Sequence, residues 1–322
     1  MSRNFKPIII VAGEPKSIFF EIFFKTIKSI KVKSPLVLIA SHNILSRHIK
    51  KINFKRNINL LKLENLQNNK LNNKNINLID ITLKTKFNKV SKANLNIYLE
   101  KSFNTAFRLI KSGFTNKLIN GPINKKKFLR NKFLGITELI SIKFNTKKYA
   151  MLIYNKELSV CPITTHLPLK LVAKNISKKL ICEKVQLIED FYKCHLGFKP
   201  KIAVTGLNPH CESVLQFNED DKIIAPSVKY LQKKGIKIKG PFPADTIFLK
   251  QNRKKFNVIV GMYHDQVLTP IKTLKEYDAI NITLGLPFLR VSPDHGPNEK
   301  MINKNISNPS SLIKAIKFLD KK

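Results

Sequence analysis

The feature that most constrains this chain is an alternation repeated along its length, in which short apolar runs are separated by longer amphipathic stretches. Segments 7–12, 36–40, 78–81, 117–123, 150–154, 201–207, 257–262 and 281–286 read as buried strands. Segments 17–30, 94–111, 137–144, 177–195, 219–233 and 310–319 carry apolar residues at helical spacing. Strands buried on both faces and spaced by helices are the pattern of an α/β protein. Tract 53–74, dense in Asn and Lys, is the least structured stretch and is expected to be a variable surface excursion. No repeat and no Pro/Ser-rich linker separates autonomous domains, so two lobes that exchange chain segments around a cleft are expected. One would cover 1–125 with 290–322, the other 126–289. Neither GxGxxG nor a Walker A loop occurs, so a dinucleotide would not be held in the Rossmann manner.

Composition narrows the function classes. The net charge is +38 and the isoelectric point about 10.1, which would ordinarily suggest nucleic acid as a partner. Only seven of the 59 basic residues are arginine, the side chain that dominates base and bidentate phosphate recognition. The lysines are spread from Lys6 to Lys322, with Lys125-Lys126-Lys127 the longest run. Lys, Asn, Ile and Phe are abundant together and share A/T-rich codons, which explains the charge without a ligand. No specific nucleic acid is expected. No apolar run nears the roughly 20 residues of a membrane span, and Gly13-Glu14-Pro15 cuts short the first apolar stretch, so a cytoplasmic protein with no membrane partner is expected. The cysteines, Cys161, Cys182, Cys194 and Cys211, form no CxxC pair and read as reduced core residues.

Three histidines share one local context. His166 ends CPITTH, His210 ends AVTGLNPH, and His264 lies in VIVGMYHD. Each follows a strand-like run and should emerge near a strand's carboxyl end, where α/β sheets bind ligands. Imidazole is the commonest protein ligand of Zn²⁺ and related ions, and three leave positions open for substrate. The intervals of 44 and 54 residues exclude a local ligand motif. Two readings stand: a metal set assembled by the fold, or three histidines that each cap a strand and bond a nearby loop.

These residues belong to a longer series of matches. Gly13-Glu14-Pro15, Gly121-Pro122-Ile123-Asn124-Lys125, Gly135-Ile136-Thr137-Glu138, Thr164-Thr165-His166 and Gly206-Leu207-Asn208-Pro209-His210 come first. Gly240-Pro241, Pro243-Ala244-Asp245-Thr246, Met262-Tyr263-His264-Asp265-Gln266, Asn281-Ile282-Thr283-Leu284-Gly285-Leu286-Pro287 and Asp294-His295-Gly296 follow. In this order and spacing the sequence resembles the 4-hydroxythreonine-4-phosphate dehydrogenase family. The resemblance implies an isocitrate/isopropylmalate-dehydrogenase-like fold and a homodimer whose active sites share ligands across the two copies. It implies oxidation of a small phosphorylated hydroxy-amino acid, 4-phosphooxy-L-threonine, by NAD or NADP, in pyridoxine 5′-phosphate biosynthesis. It further implies that His166, His210 and His264 hold one divalent ion (Zn, Mg or Co). Thr137, Lys272, Asn281 and Arg290 fall on substrate-contacting positions, and Asp294, His295 and Gly296 lie near the cofactor.

The residue types suit that chemistry. Arg290 and Lys272 offer positive charge to carboxylate or phosphate. Thr137, at a helix start, can donate to phosphate oxygens. Asp265 is placed to partner an imidazole N–H, and Lys272 and Asp265 are the candidate catalytic side chains. The sequence also departs from the family. Ile136 replaces a substrate-binding histidine, Lys16-Ser17-Ile18-Phe19-Phe20 replaces a small glycine-containing turn, and Cys211-Glu212-Ser213, Val267 and Pro297-Asn298 replace other expected residues. These changes leave two alternatives open: a dehydrogenase of a related phosphorylated hydroxy acid, and a weakly active metal-binding descendant.

Overall fold

The structure, a computed structural model, describes residues 5–68, 71–83, 91–124, 135–212, 217–293 and 296–322. It divides into two compact units, Met1–Ile136 with Pro287–Lys322, and Thr137–Leu286.

The first unit is built on β1 (Ile8–Val11), β2 (Leu36–Ala40), β3 (Ile58–Leu60), β4 (Ile76–Asp80), β5 (Lys117–Asn120) and β12 (Leu289–Pro293). They lie side by side in the order β3-β4-β2-β1-β5-β12, every pair parallel. Ile8, Ile9, Ile10 and Val11 are wholly buried, as expected of a central parallel strand covered on both faces. Each such side chain contributes roughly 1.5–3 kcal/mol on leaving water. Helix Phe19–Ser29 returns beside this sheet through an aromatic row, with Phe19 stacked on Phe23 at 5.8 Å. Helix Lys92–Lys111 starts where the Ser91 side chain accepts from the Asn94 N–H, which satisfies one of the orphan donors at a helix start.

The second unit contains β6 (Ala150–Tyr154), β7 (Ser159–Pro162), β8 (Ile202–Thr205), β9 (Ile238–Phe242), β10 (Val258–Gly261) and β11 (Ile280–Leu284). Their order is β11-β6-β7-β10-β8-β9; the first two junctions are antiparallel and the remaining three parallel. Ile153, Val160 and Ile259 of the strands pack with Val267, Leu268 and Ile271 of helix His264–Lys275 in one apolar cluster. Helix Lys178–Phe191 begins at a second serine cap, Ser177.

Several expectations need correcting. Tract 53–74, expected to be the least structured, holds the edge strand β3 and a 3-10 segment, Leu63–Asn68, so its residues 58–60 belong to the sheet. Helices expected at 177–195 and 219–233 are each part π-turn, over Tyr192–Leu196 and Asp220–Ile224. Of the cysteines only Cys161 is buried, and all four are free thiols. Lys125 and its lysine neighbours lie outside the described residues. Among the described residues no helix is long and apolar enough to cross a membrane.

Candidate functional site

The three histidine segments converge through sheet order. In the second unit β10 lies between β7 and β8, all three parallel, with Gly261 level with Pro162 and Val260 level with Val204. His166, His264 and His210 therefore follow the carboxyl ends of three adjacent strands. The β7–β10 pairing runs on past the strands: Ile163 N–H donates to Gly261 O (2.7 Å), and the Thr164 hydroxyl to Met262 O (2.7 Å). Those bonds bring two imidazoles together, His166 and His264, with ring centroids 5.8 Å apart and planes inclined by 38°. Two imidazoles on one ion at the usual ~2.1 Å nitrogen–metal distance have centroids roughly 5–6 Å apart, so this pair fits a shared ion.

The His264 ring is oriented from outside. Its Nδ1 lies 2.6 Å from Asp265 Oδ1. In the neutral ring that contact places the proton on Nδ1 and leaves Nε2 as an electron-pair donor, the arrangement metal-binding histidines use. His210 is different. It sits in a single 3-10 turn, Pro209–Cys211, with a left-handed backbone (φ 57) and an exposed side chain. Among the described residues no group of three or more His, Cys, Asp or Glu side chains is gathered as a metal site. Among the described residues the chain thus brings two of the three expected ligands, His166 and His264, into one pair.

The other candidates in this unit lie on separate elements. Asn281, second residue of β11, has its Oδ1 buried with no hydrogen-bond partner among the described residues. Leaving such an acceptor unpaired costs about 1–3 kcal/mol, which a ligand N–H or O–H would recover. Thr137 is the second residue of helix Ile136–Lys143, whose first residue, Ile136, is only 5% exposed. Lys272 is exposed, two turns along the helix that begins at His264.

In the first unit the carboxyl ends of β1 and β5 are locked backbone to backbone. Gly121 N–H donates to Val11 O (2.7 Å) and Glu14 N–H to Pro122 O (2.8 Å). Gly13 has φ +79, and a Cβ there would lie 2.4 Å from Pro122 O, so only glycine permits the approach. Arg290 is 3% exposed and donates from Nε to Asn120 Oδ1 (2.8 Å), a charged group fixed beside these loops. Asp294 and His295 lie outside the described residues. Beyond Gly296, Pro297 O accepts from Ile18 N–H (3.1 Å), so two of the departures from the family pattern are in direct contact. Ile18 also lines a cavity of about 400 Å³ with Ser17, Lys25, His48, Lys51 and Asn303.

Sequence reasoning missed the residues that brace the His210 loop. Asp220 is fully buried and accepts from Leu207 N–H (2.8 Å) and Asn208 N–H (3.1 Å). Its signal was available: Glu219-Asp220-Asp221 is a run of three acids in a chain with 21 acidic residues against 59 basic ones.

Residues 31–319 match the family described as Pyridoxal phosphate biosynthetic protein PdxA. The chain belongs to this family. It is 36% identical over 317 residues to the 4-hydroxythreonine-4-phosphate dehydrogenase of Sulfurihydrogenibium sp., covering 97% of this chain and 96% of that one. The Aquifex aeolicus enzyme of the same name is 34% identical over 322 residues, covering 98% of each. The crystal structure of the Klebsiella pneumoniae 4-hydroxythreonine-4-phosphate dehydrogenase superposes with a TM-score of 0.82 at 28% identity, covering 98% of this chain and 100% of that one.

Proposed function

We propose that this chain is a metal-dependent dehydrogenase that oxidises the secondary alcohol of 4-phosphooxy-L-threonine with NAD⁺ or NADP⁺. The product, 2-amino-3-oxo-4-phosphooxybutanoate, is a β-keto acid that loses CO₂ to give 3-amino-2-oxopropyl phosphate, in cytoplasmic pyridoxine 5′-phosphate biosynthesis. The observation that carries this reading is the His166–His264 pair at the ends of adjacent parallel strands, with His264 oriented by Asp265, in a chain of this family.

His166, His210 and His264 would hold one divalent ion, Zn, Mg or Co. When bound, the ion supplies positive charge that lowers the pKa of the substrate hydroxyl. The family resemblance supports a homodimer in which the ligand set is shared between copies. Arg290, fixed by Asn120, and Lys272 would bind the carboxylate or phosphate, Thr137 would donate to phosphate oxygens, and Asn281 Oδ1 would accept from the substrate's amino or hydroxyl group. Asp265 would hold a proton at His264 Nδ1 and so keep Nε2 free. Asp294, His295 and Gly296 would border the cofactor, and the cavity that adjoins Pro297 through Ile18 is a candidate place for its adenylate end. The fold expected with this activity is the isocitrate/isopropylmalate-dehydrogenase-like one.

A second reading, oxidation of a related phosphorylated hydroxy acid, is favoured by the buried Ile136, whose side chain offers substrate no hydrogen bond. Steady-state reduction of NAD⁺ and NADP⁺ with 4-phosphooxy-L-threonine, and with phosphorylated threonate and erythronate, separates the two. The first reading expects the highest kcat/KM for the amino acid, loss of turnover with a chelator, and recovery with Zn²⁺, Co²⁺ or Mg²⁺. Higher kcat/KM for a compound without the amino group would replace it by the second.

A further inference from the structure

His210 is carried on a loop, and a loop alone would not hold a ligand to the tolerance of a metal bond. One side chain ties that loop to the turn that carries His264. Gln266, in the first turn of helix His264–Lys275, accepts at Oε1 from Met262 N–H (2.7 Å) and from the Thr205 hydroxyl (2.8 Å). Its Nε2 donates to Gly206 O (2.8 Å). The amide orientation is forced, because the Met262 N–H can only donate and the Gly206 carbonyl can only accept. Gln266 therefore bolts the end of β8 to the end of β10. From the other side Asp220 holds the next two N–H groups, Leu207 and Asn208, and also the Asn208 side-chain amide (2.8 Å). The packing leaves no slack: a Cβ on Gly206 would lie 2.5 Å from Asp220 Oδ1.

We propose that Gln266 is a positioning residue that, with Asp220, fixes loop 206–210 against turn 262–264 and so holds His210 and His264 each in place to contribute to a metal site. The inference rests on the reading of those two histidines as metal ligands. Glutamate, nearly the same shape, cannot serve. Its carboxylate accepts from Met262 and Thr205 but faces the Gly206 carbonyl with no proton to donate.

The test uses the full-length protein and Co²⁺, titrated in competition with a chromophoric chelator. Gln266→Glu is expected to weaken Co²⁺ binding by roughly 10- to 100-fold, the usual cost of removing an outer partner of a metal site. A role limited to general stability would lower Tm and leave the affinity of the folded protein alone. Affinity within about twofold of the wild type overturns the proposal, whatever the Tm. If Gln266→Glu does not fold, Asp220→Asn goes through the same titration, where a comparable weakening supports the proposal and unchanged affinity overturns it. If the wild-type protein takes up no Co²⁺, the metal reading falls, and amide hydrogen exchange decides the positioning claim. Exchange at Leu207, Asn208 and Met262 roughly tenfold faster in the variant supports it, and unchanged rates overturn it.

Discussion

Arg290 donates from Nε to Asn120 Oδ1, and Asn120 Nδ2 is itself spent on Gly121 O (3.1 Å), so the two side chains leave each other little freedom. Lysine keeps the charge but not the planar fork. Arg290→Lys is therefore expected to lower kcat/KM about 10- to 150-fold, the equivalent of a hydrogen bond to a charged group at roughly 1.5–3 kcal/mol. Arg290→Ala should in addition lower Tm, because Asn120 Oδ1 is then buried unpaired; steady-state kinetics and thermal unfolding check both. Cys211, in the second unit, shows how burial acts on a proton. Burial, and then the negative charge of Asp220, push its thiol up to about 11. At pH 8 about one molecule in a thousand carries the thiolate, against roughly a quarter for an ordinary cysteine. Iodoacetamide followed by peptide mass analysis should find the exposed Cys194 modified first. The Cys211 rate should rise about tenfold per pH unit until the pH nears the pKa, and Asp220→Asn should bring that rise to lower pH. The histidines were legible because each ends a run of strand-forming residues. The bracing by Gln266 was not, since it depends on which strands become neighbours, and Asp220 showed only as one of a run of three acids.

At the scale of elements, the long apolar strands were read within a few residues of their ends. The short ones escaped: Ser159–Pro162 is part polar, Ile238–Phe242 contains Lys239, Gly240 and Pro241, and Leu289–Pro293 carries Arg290. Each is a strand because its neighbours supply the ladder, which no local pattern reveals. Helix His264–Lys275 was hidden by Pro270 in its interior, a residue that ordinarily marks a helix end. The junction of β1 with β5 yields a graded test. Gly13 and Gly113 both have positive φ, but a Cβ meets Pro122 O at 2.4 Å in the first case and nothing within 4 Å in the second. Gly113→Ala should cost only the left-handed penalty, about 1–2 kcal/mol. Gly13→Ala adds a clash with backbone that has no rotamer to yield, and thermal or urea unfolding should rank it clearly the more damaging. Equal losses would mean that the loops after β1 and β5 are not locked as described.

For the whole molecule, a charge of +38 spread over lysines predicts attraction to any polyanion without choice among sequences. Binding to duplex DNA should fall linearly in log–log terms with salt, through counterion release, and be the same for unrelated sequences. Sequence-selective binding that survives physiological salt would contradict this. The order of the strands has a consequence for the newly made chain. A ribosome emits β7 and then β8, yet the strand that belongs between them, β10, begins 53 residues after β8 ends at Thr205. At 5–20 residues per second, the facing edges of β7 and β8 wait roughly 3–10 s for it. Through that interval two buried-type strands present open hydrogen-bonding edges, the surface on which neighbouring chains aggregate. His264 arrives only at the end, directly behind the strand that closes the gap, so a nascent chain gains its histidine pair in the same step that removes its hazard.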